Sequence, residues 1–245
     1  MRKVQKILLA AVLTCSASGV FAQDINAKAF SLSNAGGWWN GNIQLVSDAN
    51  GKTVISMGDG PCCSETGEVG PAFSTGDNGW QYYNVNTHAG YRITGFTISA
   101  KLNGSLFAGE YEGSRGVAEN SGGFEFTAYQ GGSTLLTRRW TQMQLQGVET
   151  HQVSGQANLP SSFSLDVGAW QAARAEGVSF PYCSPFDCYD RWGAYSSASL
   201  KVSDLTLTVH TAPVPEPETY AMLLGGLALT GFLARRRQRK AQQPA

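Results

Sequence analysis

Tyr91-Arg92-Ile93-Thr94-Gly95-Phe96-Thr97-Ile98-Ser99-Ala100-Lys101-Leu102 is the stretch that decides the fold. Phe96, Ile98, Ala100 and Leu102 fall on one side of an extended chain, and Thr97, Ser99 and Lys101 on the other. A two-residue period of this kind marks a strand with one face in a core and one in water. The same signal recurs outward from it. Phe124 to Tyr129 carries aromatics at alternate positions, and Ile43 to Ser47 and Thr53 to Met57 flank an Asn50-Gly51 turn, which predicts a hairpin. Further strands are predicted over Gln81 to Thr87, Leu106 to Tyr111, Leu135 to Gln146, Val148 to Ser154 and Ser162 to Val167.

In the strand Ser199 to His210, Leu200 and Val202 share one parity while Leu205, Leu207 and Val209 share the other. One extra residue at Ser203-Asp204 restores a single inward face, so a β-bulge is predicted there. Gly168 to Glu176, around Ala169-Trp170-Gln171-Ala172-Ala173-Arg174, reads as the one short helix of the body. Many strands at close spacing with Gly, Asn and Ser turns predict an all-β antiparallel sandwich of jelly-roll type, with a closed barrel as the alternative.

The ends of the chain are of different character. Arg2, Lys3 and Lys6 precede an apolar run from Ile7 to about Val20, and Val20-Phe21-Ala22 offers a cleavage site before Gln23. Residues 1–22 therefore read as a cleaved signal peptide. The β-sandwich domain is expected over 23–212, and 213–219 is a proline-rich linker. Tyr220 to Ala234 is then uncharged, and Arg235, Arg236 and Arg237 open a basic stop that continues to Lys240. Residues 220–240 read as a short C-terminal transmembrane helix with a cytoplasmic basic flank.

Charge narrows the function. Of 18 Lys and Arg, three precede residue 23 and five follow residue 234; of 18 Asp and Glu, only Glu216 and Glu218 lie outside the body. The body thus carries about −6, which argues against nucleic acid as a partner. An exported body meets an oxidising compartment, so Cys62, Cys63, Cys183 and Cys188 are expected in disulfides. A vicinal Cys62–Cys63 ring is strained, which leaves cross-links between the 62/63 loop and the 183/188 loop as the expectation. Their spacing matches no common zinc module.

No catalytic constellation stands out. There is no Gly-x-Ser-x-Gly elbow, phosphate-cradling loop or His-Glu-x-x-His helix. Glu110 and Glu112 are two apart and would share one face of a regular strand, the minimal pairing a glycosidase needs. His88, His151 and His210 are scattered and read as surface residues. Asp59, Glu65, Glu68 and Asp77 punctuate a glycine-rich loop and raise calcium as an alternative to solvated loop acids. Trp38, Trp39 and Trp80, flanked by Gly and Asn, are candidates for stacking on sugar rings, although large aromatics more often fill a core. An extended backbone cannot turn both Trp38 and Trp39 inward.

Pro215-Glu216-Pro217, the apolar segment to Ala234 and the Arg235-Arg236-Arg237 cluster occur in that order at the C-terminus. This arrangement resembles the PEP-CTERM sorting signal of exported Gram-negative proteins. The resemblance implies recognition and processing by an exosortase-type enzyme, inner-membrane anchoring in transit, and release to the cell surface or extracellular matrix of a bacterium that makes exopolysaccharide and biofilm. Pro215, Glu216 and Pro217 would be the recognition motif. The expected function is an exported structural or carbohydrate-contacting sandwich. The alternatives are a secreted polysaccharide hydrolase or lyase, and an envelope protein that stays anchored facing the periplasm.

Overall fold

The computed structural model describes residues 24–38, 43–61, 64–65, 69–215 and 221–232. In chain order the strands are β1 (Ile25–Asn26), β2 (Phe30–Gly37), β3 (Gln44–Ala49), β4 (Lys52–Gly58), β5 (Ser64–Glu65), β6 (Phe73–Thr87), β7 (Tyr91–Phe107) and β8 (Glu110–Tyr111). They continue with β9 (Ser114–Arg115), β10 (Val117–Gln130), β11 (Ser133–Met143), β12 (Gly147–Gln156), β13 (Ser162–Glu176), β14 (Val178–Cys183), β15 (Cys188–Ala194) and β16 (Ser197–Pro213). One six-stranded antiparallel sheet runs β1-β2-β6-β13-β10-β11. The other runs β12-β7-β16-β4-β3, with β5 added beside β16. β8–β9 and β14–β15 are separate hairpins.

The inner faces meet as the alternation in β7 requires. Phe96, Ile98, Ala100 and Leu102 are buried, and the Phe96 ring lies 5.6 Å from Phe126 and 6.1 Å from Phe163 in the opposite sheet. Leu32, Val85, Leu165, Val167, Phe124, Leu205, Leu207 and Val209 complete the same cluster. At roughly 1.5–3 kcal/mol for each fully buried large apolar side chain, this layer is the main source of stability.

Several local features follow the sequence closely. Asn50 and Gly51 both take positive φ, 53° and 72°, as a two-residue hairpin between β3 and β4 needs. Asp204 has φ 53° and the β16–β7 register shifts between Ser203 and Thr206, so both halves of β16 face inward. This is the expected bulge.

Elsewhere the structure corrects the expectation. Residues 168–176 are part of β13, not a helix. Ala169, Gln171, Ala173 and Ala175 are buried while Trp170, Ala172 and Arg174 face out. Alanine favours helix by less than about 1 kcal/mol per residue, and pairing with β6 on one side and β10 on the other outweighs that. The strand expected over Leu106 to Tyr111 breaks after Phe107, and Glu110–Tyr111 pairs with Ser114–Arg115 instead. The strand expected to Gln146 ends at Met143, because Gln144 turns with φ 55°.

The disulfide joins Cys183 to Cys188, so the expected cross-links to the 62/63 loop do not form. Cys183 and Cys188 face each other in register at the end of the β14–β15 hairpin, which closes a short local ring at little loop-closure cost. Cys62 and Cys63 lie outside the described residues.

Two buried amides tie the sheets together. Asn120 of β10 donates to the carbonyls of Leu145 and Ser199, at 2.9 and 2.8 Å, and accepts from the Leu145 amide at 2.7 Å. Gln171 of β13 donates to the Pro61 carbonyl and accepts from the Val202 amide. Asn120→Ala strands three buried polar groups, so it is expected to lower unfolding free energy by about 2–4 kcal/mol. Urea denaturation measures this; a midpoint within error of wild type would refute the structural role of the bridge.

Both ends of the described body lie at one pole. Phe30 pairs with Thr87, the end of β6, while Pro213 pairs with Tyr91, the start of β7. The β14–β15 hairpin precedes the start of β16, roughly 50 Å of extended chain away. Beyond the body, residues 221–232 form an exposed helix. Its twelve residues span about 18 Å against a hydrocarbon core of about 30 Å. Among the described residues no helix is long and apolar enough to cross a membrane, so the expected transmembrane helix over 220–240 is not found at that length. Residues 1–23 and 233–240, with the signal peptide and Arg235, Arg236 and Arg237, lie outside the described residues, as do Glu216 and Pro217.

Candidate functional site

The outer face of the six-stranded sheet carries an aromatic and polar array that strand register assembles. Along β6 the inward residues are Gln81, Tyr83 and Val85, and the outward ones are Trp80, Tyr82, Asn84 and Asn86. Trp80 stands opposite Gly168 of β13, and its ring occupies the space a Cβ at Gly168 would fill. Trp170 stands opposite Gly123 of β10 and covers that glycine in the same way. Two indoles therefore lie against backbone at positions where only glycine admits them.

Charged and hydroxyl groups fill the rows between. Glu125 pairs with Arg139 of β11 at 3.5 Å, and the Arg139 guanidinium sits 4.1 Å from the centre of the Trp170 ring. Thr127 and Thr137 share a hydrogen bond of 2.9 Å. Asp166 stands opposite both Tyr82 and Thr127. Burial pushes the Asp166 carboxyl up, partly offset by the Tyr129 hydroxyl. Burial also raises Glu125, with Arg139 acting against it. The Tyr129 phenol is raised, first by burial and then by Asp166. Asp166 Oδ1 is shut off from solvent and has no hydrogen-bond partner among the described residues. At the pole end of this face lies a depression of about 410 Å³, lined by Asn84, Asn86, Tyr129, Gln130, Ser162 and Ser164.

Trp38 is 80% exposed at the edge of this array. Its position is built from inside. Buried Gln81 donates to the Gly36 carbonyl at 2.7 Å and to the Asn34 side chain, holding an irregular stretch of β2. Gly37, at φ 143°, lets that backbone approach closely, and the Trp38 amide donates to the Trp80 carbonyl at 2.8 Å. Trp38 and Trp80 are thus neighbours across β2 and β6. Trp39 lies outside the described residues.

The remaining candidates do not converge. Glu110 sits in β8 and pairs with Arg115 at 3.7 Å, while Glu112 is in a turn with φ 49°. They are not two residues of one regular strand. Asp59 contacts Lys201 at 3.3 Å, Glu65 pairs into β5, and Asp77 lies within β6. Glu68 lies outside the described residues. Among the described residues no three His, Cys, Asp or Glu side chains group to hold a metal ion. The histidines are separate: His88 contacts the Lys28 carbonyl, His151 contacts Glu149 and stacks on Trp140, and His210 contacts Thr97.

A second aromatic surface escaped the sequence reading. The β14–β15 hairpin exposes Phe186 at 98% and also presents Tyr182, Tyr189 and Trp192, with Arg191 5.0 Å over Tyr182. Phe180 stacks on Tyr111 at 5.0 Å and fixes the hairpin to β8. The sequence signal for it is the density of aromatics around Cys183 and Cys188.

Residues 213–238 match the family model of the PEP-CTERM protein-sorting motif. No curated protein matches the chain. Among solved structures, that of TmCBM61 in complex with beta-1,4-galactotriose is similar over 76% of this chain and 88% of that one, at 5% identity and a TM-score of 0.26. A likeness at that level carries no argument about fold or ligand.

Proposed function

We propose that this exported protein is passed by its PEP-CTERM tail through the inner membrane to an exosortase-type sorting enzyme, and that its body then contacts polysaccharide at the cell surface or in the extracellular matrix. Delivery is supported by the match over residues 213–238, within which Pro215, Glu216 and Pro217 would be the recognition motif and Arg235, Arg236 and Arg237 the basic stop. The body's contact is supported by one observation above others: Trp38, Trp80, Trp170 and Tyr82 are gathered at one sheet face instead of being spent in the core. Sugar rings present axial C–H groups to aromatic faces and hydroxyls to amides and carboxylates, and this face offers both.

The order of strand pairing supports reading the body as a jelly roll. β4 pairs with β16, β6 with β13, β7 with β12 and β10 with β11, a nested folding of one long antiparallel ribbon. A hydrolytic role for Glu110 and Glu112 loses its geometric basis, because the two carboxylates do not share a strand face.

The test is retention of the mature protein on exopolysaccharide from its host, comparing wild type with Trp38→Ala, Trp80→Ala and the double variant. Losing two stacking contacts of about 0.5–1.5 kcal/mol each predicts roughly tenfold weaker retention for the double variant. Trp38→Ala should leave the melting temperature unchanged, since that ring is exposed. Equal retention of all forms would remove the polysaccharide reading and leave delivery untouched.

A further inference from the structure

The depression at the pole end of the aromatic face has a chemistry of its own. Its floor and walls come from three adjacent strands: Asn84 and Asn86 from β6, Ser162 and Ser164 from β13, and Tyr129 and Gln130 from β10. Register places Ser164 between Asn84 and Tyr129 in one row. The Gln130 amide is occupied, donating to the Ser162 carbonyl at 2.8 Å. Asn84 and Asn86 point out of the sheet into solvent. A volume of about 410 Å³ lies in the range of small-ligand sites. Every polar group named here is a neutral hydrogen-bonding amide or hydroxyl. Among the described residues the nearest charge is Asp166, one row along β13; its Oδ1 is enclosed without a hydrogen-bond partner among them, while the Tyr129 hydroxyl acts on the carboxyl. Around it stand Tyr82 from β6 and Tyr129 from β10. Glu125 and Arg139, from β10 and β11, are already paired with each other. Among the described residues no cation pairs with Asp166.

We propose that this depression is a subsite for one uncharged sugar ring: Tyr129 is its stacking wall, Asn84, Asn86 and Ser164 bind its hydroxyls, and Asp166 turns away uronates. This rests on the polysaccharide reading above and adds its ligand class. Amides and a hydroxyl suit the paired donors and acceptors of a neutral ring. A second carboxylate brought close to Asp166 is opposed by like-charge repulsion, which weakens its binding by about tenfold or more.

The experiment measures binding of the mature protein at pH 8, where carboxylates are ionised, to neutral glucan, galactan and mannan. It uses in parallel the same polymers oxidised to uronates at the primary alcohol. Wild type is expected to bind at least one neutral polymer and to bind its oxidised form about tenfold or more weakly. Asn84→Ala with Asn86→Ala, both exposed and outside the core, should weaken neutral binding about tenfold. Asp166→Asn should bring the two forms of the polymer to within about threefold of each other. Wild-type discrimination in Asp166→Asn, or undiminished binding in the Asn84/Asn86 variant, overturns the subsite. If the Trp38/Trp80 variant loses binding in the same experiment, the polysaccharide reading survives that failure. Binding of no neutral polymer overturns the subsite, and retention on the host exopolysaccharide decides the polysaccharide reading separately.

Discussion

Replacing Phe96 by alanine lowers the unfolding free energy by about 3–5 kcal/mol, the largest single-residue loss expected in this protein. Phe96 projects from β7 into the middle of the sandwich and touches Phe126 and Phe163 across the layer. Its two ring partners are held on β10 and β13 of the opposite sheet, so removing the Phe96 ring leaves a cavity between the layers. For a domain of this size each kcal/mol shifts the melting temperature by about 2–4 °C, which gives a fall of about 6–20 °C. Thermal denaturation followed by far-ultraviolet circular dichroism measures it. A shift under 3 °C would mean that the sheets do not pack as described.

Changing Pro215, Glu216 and Pro217 together to alanine is expected to remove the mature species from the surface and leave the full tail in the membrane fraction. Proline restricts its own backbone and that of the residue before it, and glutamate carries a charge, so the substitution removes both properties from the sequence. A recognition element worth at least about 1.4 kcal/mol predicts a fall of tenfold or more in surface material. Intact mass of the membrane fraction, the surface wash and the medium reads the outcome directly. A wild-type surface species lacking everything past about Pro217 supports sorting. A wild-type protein that keeps its tail in the membrane would instead make this a permanently anchored envelope protein. Unchanged surface material from the alanine variant would show that the motif is not what the sorting machinery reads.

Features that depend on neighbours along the chain were legible. The alternation of Phe96, Ile98, Ala100 and Leu102, the Asn50-Gly51 turn and the phase break at Ser203-Asp204 all appear where local patterning puts them. Features that depend on which strands become neighbours were not. Ala169 to Ala175 reads as helix until β6 and β10 flank it. Glu110 and Glu112 read as a pair until the turn at Glu112 parts them. The outer face is the fullest case. Trp80 could be found from composition, but its seat on Gly168, the seat of Trp170 on Gly123, and the meeting of Asp166 with Tyr82 and Thr127 depend on register between strands about 40 to 90 residues apart. Trp170 is not legible as a sheet-face residue, because the alanines around it carry the composition of a helix.

The position of β16 bears on when the body can fold. It is the last strand of the body, yet it lies between β7 and β4 in the middle of its sheet. A chain exported amino end first delivers β4, β7 and β12 long before the strand that joins them. Until Pro213 has crossed, β12-β7 and β4-β3 are disconnected pieces of one layer, and Phe96 and Ile98 lack the Val209 and Leu207 that pair beside them. The sorting tail begins at that same residue. The last strand of the fold and the start of the tail therefore emerge together along the chain. On the proposed function, a sorting enzyme would meet its signal at the moment when the cargo first becomes able to close.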